Sequence, residues 1–177
     1  MNTEIKVFLA SSAELELERV YVGDFFTELN SILVQTPVRI RLLKWEVFES
    51  KFTGERKQNE YDEQVKRSDI FISLFHTRAG KFTMEEVEVA KTSYSEFKKP
   101  NELYNFFKET SEPREFNIEE LTTTLKPDFV ISTYKDINDL KCKIIEILTP
   151  YLNRLGEKVE KSDKFITLNG QNVLRIR

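Results

Sequence analysis

One glutamate in this sequence stands where a carboxylate could do chemistry. Glu86 lies in the run Thr83-Met84-Glu85-Glu86, which follows a nearly continuous apolar segment and a short loop. From the first turn of a helix, its carboxylate can point into a crevice at the edge of a sheet. The Thr-x-x-Glu spacing also fits a capping box, in which Glu86 would bond to the backbone N–H of Thr83. The spacing alone leaves both interpretations open.

Several catalytic chemistries lack the residues they require. The chain has one histidine, His76, and one cysteine, Cys142, so neither an intrachain disulfide nor a zinc site of His and Cys ligands is expected. No glycine-rich dinucleotide fingerprint follows the first apolar segment, and no P-loop motif occurs. A Ser-His-Asp triad would need His76, and Ser11 lies in no nucleophile-elbow sequence. Redox dinucleotide chemistry and P-loop phosphoryl transfer are therefore not expected.

The elements that must position Glu86 alternate between strands and helices. Strands are expected at residues 5–10, 38–48, 69–75, 103–107 and 129–133. The fourth is interrupted by Asn105, whereas the third is nearly continuous in apolar residues, as a strand buried on both faces must be. The alternation predicts an α/β, flavodoxin-like three-layer sandwich with a five-stranded parallel sheet in the order 2-1-3-4-5.

That strand order places a ligand crevice beyond the carboxyl ends of strands one and three. Two loops must line it. The first is Ala10-Ser11-Ser12, which leads into a helix with the capping-box spacing Ser11-Ser12-Ala13-Glu14. The second runs from His76 to Thr83, where the helix that carries Glu86 is expected to begin. Function is therefore expected in these two loops.

The composition is that of a globular protein. The chain has 177 residues, of which 40% are hydrophobic, and its net charge of −3 argues against a broad nucleic-acid surface. No apolar stretch approaches the roughly 18 residues that a membrane span needs. The N-terminus lacks the features of a signal peptide, and a reducing, cytoplasmic location fits the single cysteine.

Four segments resemble bacterial TIR-like domains (Toll/interleukin-1 receptor-like). The most specific runs from Arg78 to Ala90, where a glycine-containing loop leads into a helix with a glutamate four residues before a small residue. The segment at residues 7–12 resembles the family's first strand and its serine loop, and Trp45-Glu46 resembles the acidic end of its second strand. Residues 129–148 resemble its fifth strand and final helix. The resemblance covers about residues 4–152, so we expect a TIR-like domain at residues 1–152 and a C-terminal tail at residues 153–177.

The resemblance implies an NAD⁺ hydrolase that cleaves the bond between nicotinamide and ribose. Because nicotinamide leaves as a neutral ring, no general acid is required, and one carboxylate can stabilise the oxocarbenium-like charge. Glu86 is assigned this role. NAD⁺ is the substrate, and no separate cofactor or metal is expected. The function implied is that of an effector in bacterial defence against phage, activated by assembly.

Six further residues are expected to bind the substrate. The backbone N–H groups at Ser11 and Ser12 could bind a phosphate at a helix start. Arg78 and Lys81 could balance pyrophosphate charge, or they are solvated loop cations. Trp45 could stack on a ring or belong to the core, and Glu46 is a second acidic candidate or a solvated strand end. His76 is interpreted as an ordinary loop residue.

The partners expected are a second copy of the chain and a sensor. In TIR-like domains the loop after the second strand packs on a neighbouring domain, and here that loop is the polar stretch at residues 49–59, unless it is simply solvated. The tail, with Asn169-Gly170 at its centre, could form a hairpin or a linker to a sensor. Two alternatives remain open: a nucleoside deoxyribosyltransferase-like enzyme, and a non-catalytic TIR-like module that only assembles.

Overall fold

A computed structural model describes residues 3–44, 56–124 and 128–176, apart from the side chains of residues 56–61 and 122. The strands are β1 (Thr3–Ser11), β2 (Val38–Leu43), β3 (Ile70–Phe75), β4 (Glu102–Lys108), β5 (Val130–Tyr134), β6 (Val159–Lys161), β7 (Phe165–Leu168) and β8 (Gln171–Arg175). The α-helices are α1 (Glu16–Ile32), α2 (Arg56–Arg67), α3 (Lys81–Phe97), α4 (Phe116–Thr124) and α5 (Ile137–Arg154). Helices and strands therefore alternate, as the sequence predicts.

The first five strands form one sheet in the order β2-β1-β3-β4-β5. β1 pairs parallel to β3, and β3 pairs parallel to β4. The predicted flavodoxin-like order is confirmed. β4 is a regular strand despite Asn105, because the buried Asn105 amide oxygen accepts a hydrogen bond from the hydroxyl of Ser73 on the neighbouring strand. A polar side chain can lie inside a sheet when a strand neighbour provides a hydrogen-bond partner.

The chain folds into two compact units. The first comprises Met1–Ile5, Val20–Arg41 and Tyr134–Arg177, and the second comprises Lys6–Arg19 and Leu42–Thr133. In the second unit, α3 buries Val87 and Ala90 in a cluster with residues of β1, β3, β4 and α4. The cluster includes five phenylalanines, and the rings of Phe8 and Phe71 stack with centroids 5.7 Å apart. The second unit contains Glu86 and both loops that the sequence analysis singled out.

In the first unit, the helical spacing of apolar residues after Asp136 predicts an amphipathic helix with Asp136 as its cap. The structure confirms this helix as α5, and the Asp136 carboxylate accepts from the N–H of Asp139. The tail forms a three-stranded antiparallel sheet of β6, β7 and β8. Its β7–β8 hairpin turns at Asn169 and Gly170, whose φ angles are 51° and 78°. The turn was expected from the Asn-Gly pair, but β6 was not.

Two sequence-based boundaries and one burial prediction are wrong. α2 begins at Arg56, so residues 56–59 of the predicted 49–59 loop are helical, since charged helix formers extend this helix toward its N-terminus. The remaining residues, 49–55, lie outside the described residues. β2 ends at Leu43, and residues 45–48 of the predicted strand are also outside them. The helical spacing of apolar residues from Met84 to Phe97 predicts that Phe97 lies on the buried face of α3, but it is 67% exposed.

The start of α3 also differs from the prediction. The helix begins at Lys81, with Gly80 in extended conformation as its N-cap and no side chain capping it. Thr83 is thus the third residue of the helix and Glu86 the sixth, so the capping box between them is not formed. The capping box was the structural explanation for a glutamate at position 86. Because it does not form, the presence of Glu86 needs another explanation.

Candidate active site

The two loops leave the sheet side by side. β1 and β3 are parallel neighbours, with Ser11 opposite Leu74 in the register. The residues after Ser11 and those after Phe75 therefore begin at the same edge, where parallel strands present their carboxyl ends. This is the switch point that the strand order predicts for ligands.

Glu86 lies on the buried face of α3, with 6% of its surface exposed. Thr83 and Ala90, one turn before and after it, are buried on the same side of the helix. Burial, together with the negative charges of Asp62 and Glu85, raises the pKa of Glu86 to about 8, with no hydrogen bond to a described residue to oppose them. A buried carboxyl group with so high a pKa is mostly neutral at pH 7.

Asp62, on the neighbouring helix α2, also belongs to this site, and the sequence analysis did not identify it. It lies one turn before Val65 of α2, which belongs to the same buried cluster as Val87. The two carboxyl groups thus belong to facing helices, close enough for the Asp62 charge to raise the Glu86 pKa. No local motif marks Asp62, because its neighbourhood with Glu86 exists only after the helices pack.

Both serines of the first loop point toward protein groups. Arg19, itself 3% exposed, donates from Nη1 to the hydroxyl of Ser11 and to the carbonyl of Ser12, each at 2.9 Å. The Ser12 hydroxyl donates to Glu14 at 3.3 Å. Ser12 precedes a short 3₁₀ helix rather than the α-helix itself, and its side chain makes no capping bond. The binding of phosphate by this loop stays a prediction.

Glu14 joins the two loops. Its carboxylate accepts from the backbone N–H groups of Thr77 and Arg78, both at 2.8 Å, and from the Thr77 hydroxyl at 2.7 Å. Sequence reasoning assigned Glu14 to a capping box with Ser11, a local explanation that the structure replaces with partners 63 and 64 positions away. No sequence signal reports such a contact.

Arg78 and Lys81 are exposed on the second loop and the first turn of α3. That turn carries no acidic side chain, and Lys81 is its first residue. The positive end of the helix dipole therefore has a cation, Lys81, in its first turn and no acidic side chain there to neutralise it. In the described part of the chain, no hydrogen bond or ion pair joins Glu86 to Ser11, Ser12, Arg78 or Lys81, and Trp45 and Glu46 lie outside the described residues.

The rest of the second loop is held from the side of β4. Arg114 donates from Nε to the carbonyl of His76 at 3.1 Å, and the N–H of Glu115 donates to the carbonyl of Thr77 at 2.9 Å. The His76 ring lies with Nδ1 3.7 Å from Glu14.

Within the described residues no cluster of three or more His, Cys, Asp or Glu side chains is placed to hold a metal ion. No helix there has the length and hydropathy of a membrane span.

Comparison with known proteins finds similar solved structures but no matching family. No protein-family model and no curated protein sequence matches the chain. Among solved structures, the chain is similar to the CMP N-glycosidase BcmB of Clostridium botulinum, with a TM-score of 0.54 and 16% identity over 81% of this chain and 99% of that one. It also matches the flavodiiron core of Flv1 from Synechocystis sp. PCC6803, with a TM-score of 0.43 and 13% identity over 82% of this chain and 34% of that one. The first likeness supports the α/β fold, and the resemblance to TIR-like domains stays a prediction.

Proposed function

We propose that this chain cleaves an N-glycosidic bond, with NAD⁺ as its substrate and Glu86 as the catalytic carboxylate. The observation that carries the proposal is the burial of Glu86 on the face of α3, without a hydrogen bond to a described residue, in the helix that follows the switch-point loop. Such a group weakens the folded protein, and perturbed pKa values of this kind cluster at functional sites.

The reaction needs little from the protein beyond a negative charge in the right place. The bond between the nicotinamide nitrogen and ribose C1′ breaks, and its electron pair stays on the departing neutral ring. Water then forms the new bond at C1′ and releases one proton to solvent. The positive charge that develops on the ribose is the charge a carboxylate stabilises.

The raised pKa of Glu86 fits a cationic substrate. In the free protein the pKa of Glu86 lies above 7, so the neutral carboxyl group predominates at pH 7. A nicotinamide ring with its positive charge, bound beside this group, favours the ionised form and lowers its pKa. Arg78, Lys81 and the start of α3 provide positive potential for a pyrophosphate at the same edge of the sheet.

A nucleotide or nucleoside substrate is the second candidate, and one observation favours it. The likeness in fold to a protein described as a CMP N-glycosidase directs attention to pyrimidine nucleotides. A cytosine leaving group is uncharged before the bond breaks and needs a proton. A Glu86 that is neutral at pH 7 could donate that proton as a general acid.

The two candidates predict opposite dependences on pH. Concentrated protein is incubated with NAD⁺, with CMP, or with a nucleoside and a free base, and the products are separated by chromatography. If the carboxylate is the active form, kcat/KM rises with pH and levels off above about 8. If the protonated acid is active, kcat/KM falls above that pH.

The Glu86→Gln variant tests the assignment, and Glu88→Gln, an exposed acid on the same helix, is its matched control. We expect Glu86→Gln to abolish cleavage and Glu88→Gln to retain it. Wild-type rates in Glu86→Gln would disprove the assignment. No cleavage of any of these substrates by wild-type protein at any concentration would favour the third possibility, a module that only assembles.

A further inference from the structure

The β3–α3 loop is held by several long-range hydrogen bonds. Between His76 and Arg78, four backbone groups are bound by residues far away in the sequence: two N–H groups by Glu14, and two carbonyls by Arg114 and Glu115. Surface loops are ordinarily the most mobile parts of a domain. Fixing this one on both sides restricts its backbone before any ligand arrives.

Glu14 provides most of the restraint on the side of β1. Two of its three hydrogen bonds to the loop are to N–H groups, which point at one carboxylate oxygen. Burial raises the pKa of Glu14, but the hydrogen bonds from Thr77 and Arg78 and the nearby His76 outweigh it, so the pKa lies below its ordinary value. The carboxylate is therefore ionised at neutral pH, and its bonds are of the stronger, charge-assisted kind.

A hydrogen bond from the serine loop holds Glu14 itself in place. Ser12 donates to the Glu14 oxygen that accepts the two N–H groups, and Arg19 fixes the backbone at Ser12. The chain of contacts runs from buried Arg19, through the serine loop and Glu14, to the loop that leads into α3. A side chain supported in this way can hold a binding segment in one conformation.

We infer that Glu14 is a positioning residue, which holds the β3–α3 loop and the first turn of α3 in the conformation that binds the pyrophosphate of the substrate. The inference rests on the proposed function in its choice of ligand. Glu14 does not touch the ligand in this account. It acts through the backbone of the loop, which carries Arg78 and leads into the first turn of α3, where Lys81 lies and where a helix leaves its first N–H groups without an intrahelical partner.

The test uses the full chain and a ligand that needs no catalysis. Calorimetry measures the binding of ADP-ribose, which carries the pyrophosphate, and hydrogen exchange measures the protection of the Thr77 and Arg78 amides. Glu14→Gln keeps the size of the side chain but loses its charge and one acceptor oxygen. Thr77→Val removes only the hydroxyl contact. Glu16→Gln, an exposed neighbour at the start of α1, is the matched control.

We expect Glu14→Gln to weaken ADP-ribose binding by about tenfold, the loss expected for one charge-assisted hydrogen bond, and to expose both amides to exchange. Thr77→Val should have a smaller effect in the same direction, and Glu16→Gln none. Unchanged ADP-ribose affinity in Glu14→Gln, with both amides deprotected, would show a purely structural role and overturn the inference. Unchanged protection of the amides would overturn it as well.

The proposed reaction can fail separately. Wild-type protein that binds ADP-ribose but leaves NAD⁺ intact would contradict the hydrolase proposal while the role of Glu14 stands. Wild-type protein that cleaves NAD⁺ while Glu14→Gln binds ADP-ribose equally well would contradict only the positioning role. Absence of ADP-ribose binding by wild-type protein would overturn the inference directly.

Discussion

Burial of the Glu86 carboxyl group lowers the free energy of unfolding by an amount that depends on pH. Its pKa rises from 4.5 to about 8 on folding, so the folded state holds this proton more tightly than the unfolded chain does. Between these two pH values the unfolded state binds fewer protons, and stability therefore falls as pH rises. Above about pH 8 the whole penalty is present, on the order of 5 kcal/mol before the structure relaxes.

The Glu86→Gln variant should therefore be more stable than wild type in alkali. Glutamine fits the same space and does not titrate, so the variant lacks this penalty. Urea unfolding at pH 5 and pH 9 measures the effect: the two proteins should be similar at the lower pH, and the variant more stable at the higher one. A wild type whose stability relative to Glu86→Gln does not change between these pH values would show that the carboxyl group is not desolvated.

A second change tests the carboxyl pair. Asp62→Asn removes a negative charge that raises the Glu86 pKa, so the pH profile of substrate cleavage should move to lower pH. The midpoint of log kcat/KM against pH gives the shift directly. Glu88→Gln, which removes an exposed charge from α3, should leave the midpoint in place. A midpoint that is identical in wild type and Asp62→Asn would contradict the pairing of the two groups.

At the scale of elements, the sequence predicted correctly those strands, caps and turns that depend on residues close together in the chain. The apolar run of β3, the Asp136 cap of α5 and the Asn-Gly turn of the hairpin each depend on neighbours in sequence, and each is present. The start of α3 and the partners of Glu14 were not foreseen. For Glu14, a plausible capping box competed with hydrogen bonds to residues about sixty positions away, which no local pattern encodes. For α3, the helix begins two residues before Thr83, so the box predicted from the local spacing does not form.

The β7–β8 turn offers a test at this scale. Gly170 has a φ of 78°, and nothing lies near the position of an added Cβ, so the backbone alone decides the effect. Gly170→Ala should reduce hairpin stability by about 1 kcal/mol, because other residues disfavour this conformation. Hydrogen exchange of β7 and β8 measures it. Gly80→Ala, at an ordinary φ of −63°, is the control, and equal effects of both changes would contradict this explanation.

At the scale of the whole molecule, we predict that activity requires self-association. The stretch at residues 49–59 carries charges of both signs, and in the structure its last four residues form the start of α2. Reversing two charges there, with Arg56→Glu and Lys57→Glu, should depress activity without unfolding the chain, since acidic residues suit the first turn of a helix. Activity per chain should also rise with protein concentration.

Specific activity over a hundredfold dilution, with light scattering at each concentration, checks this prediction. The control variant Lys135→Glu with Lys164→Glu makes the same change in net charge at two exposed positions elsewhere. It should behave as wild type does. A flat specific activity with a monomer throughout, or an equal loss in the control, would rule out a specific role for the start of α2.

The bonds that fix the β3–α3 loop have a consequence for how this protein can change over evolutionary time. They engage the loop mainly through its peptide groups, which every residue except proline carries in full. The side chains at positions 76 and 78 are thus largely free of the task of holding the loop. Selection, or a laboratory library, can alter the charge presented there while the scaffold keeps its shape, so ligand preference can drift without first dismantling the fold.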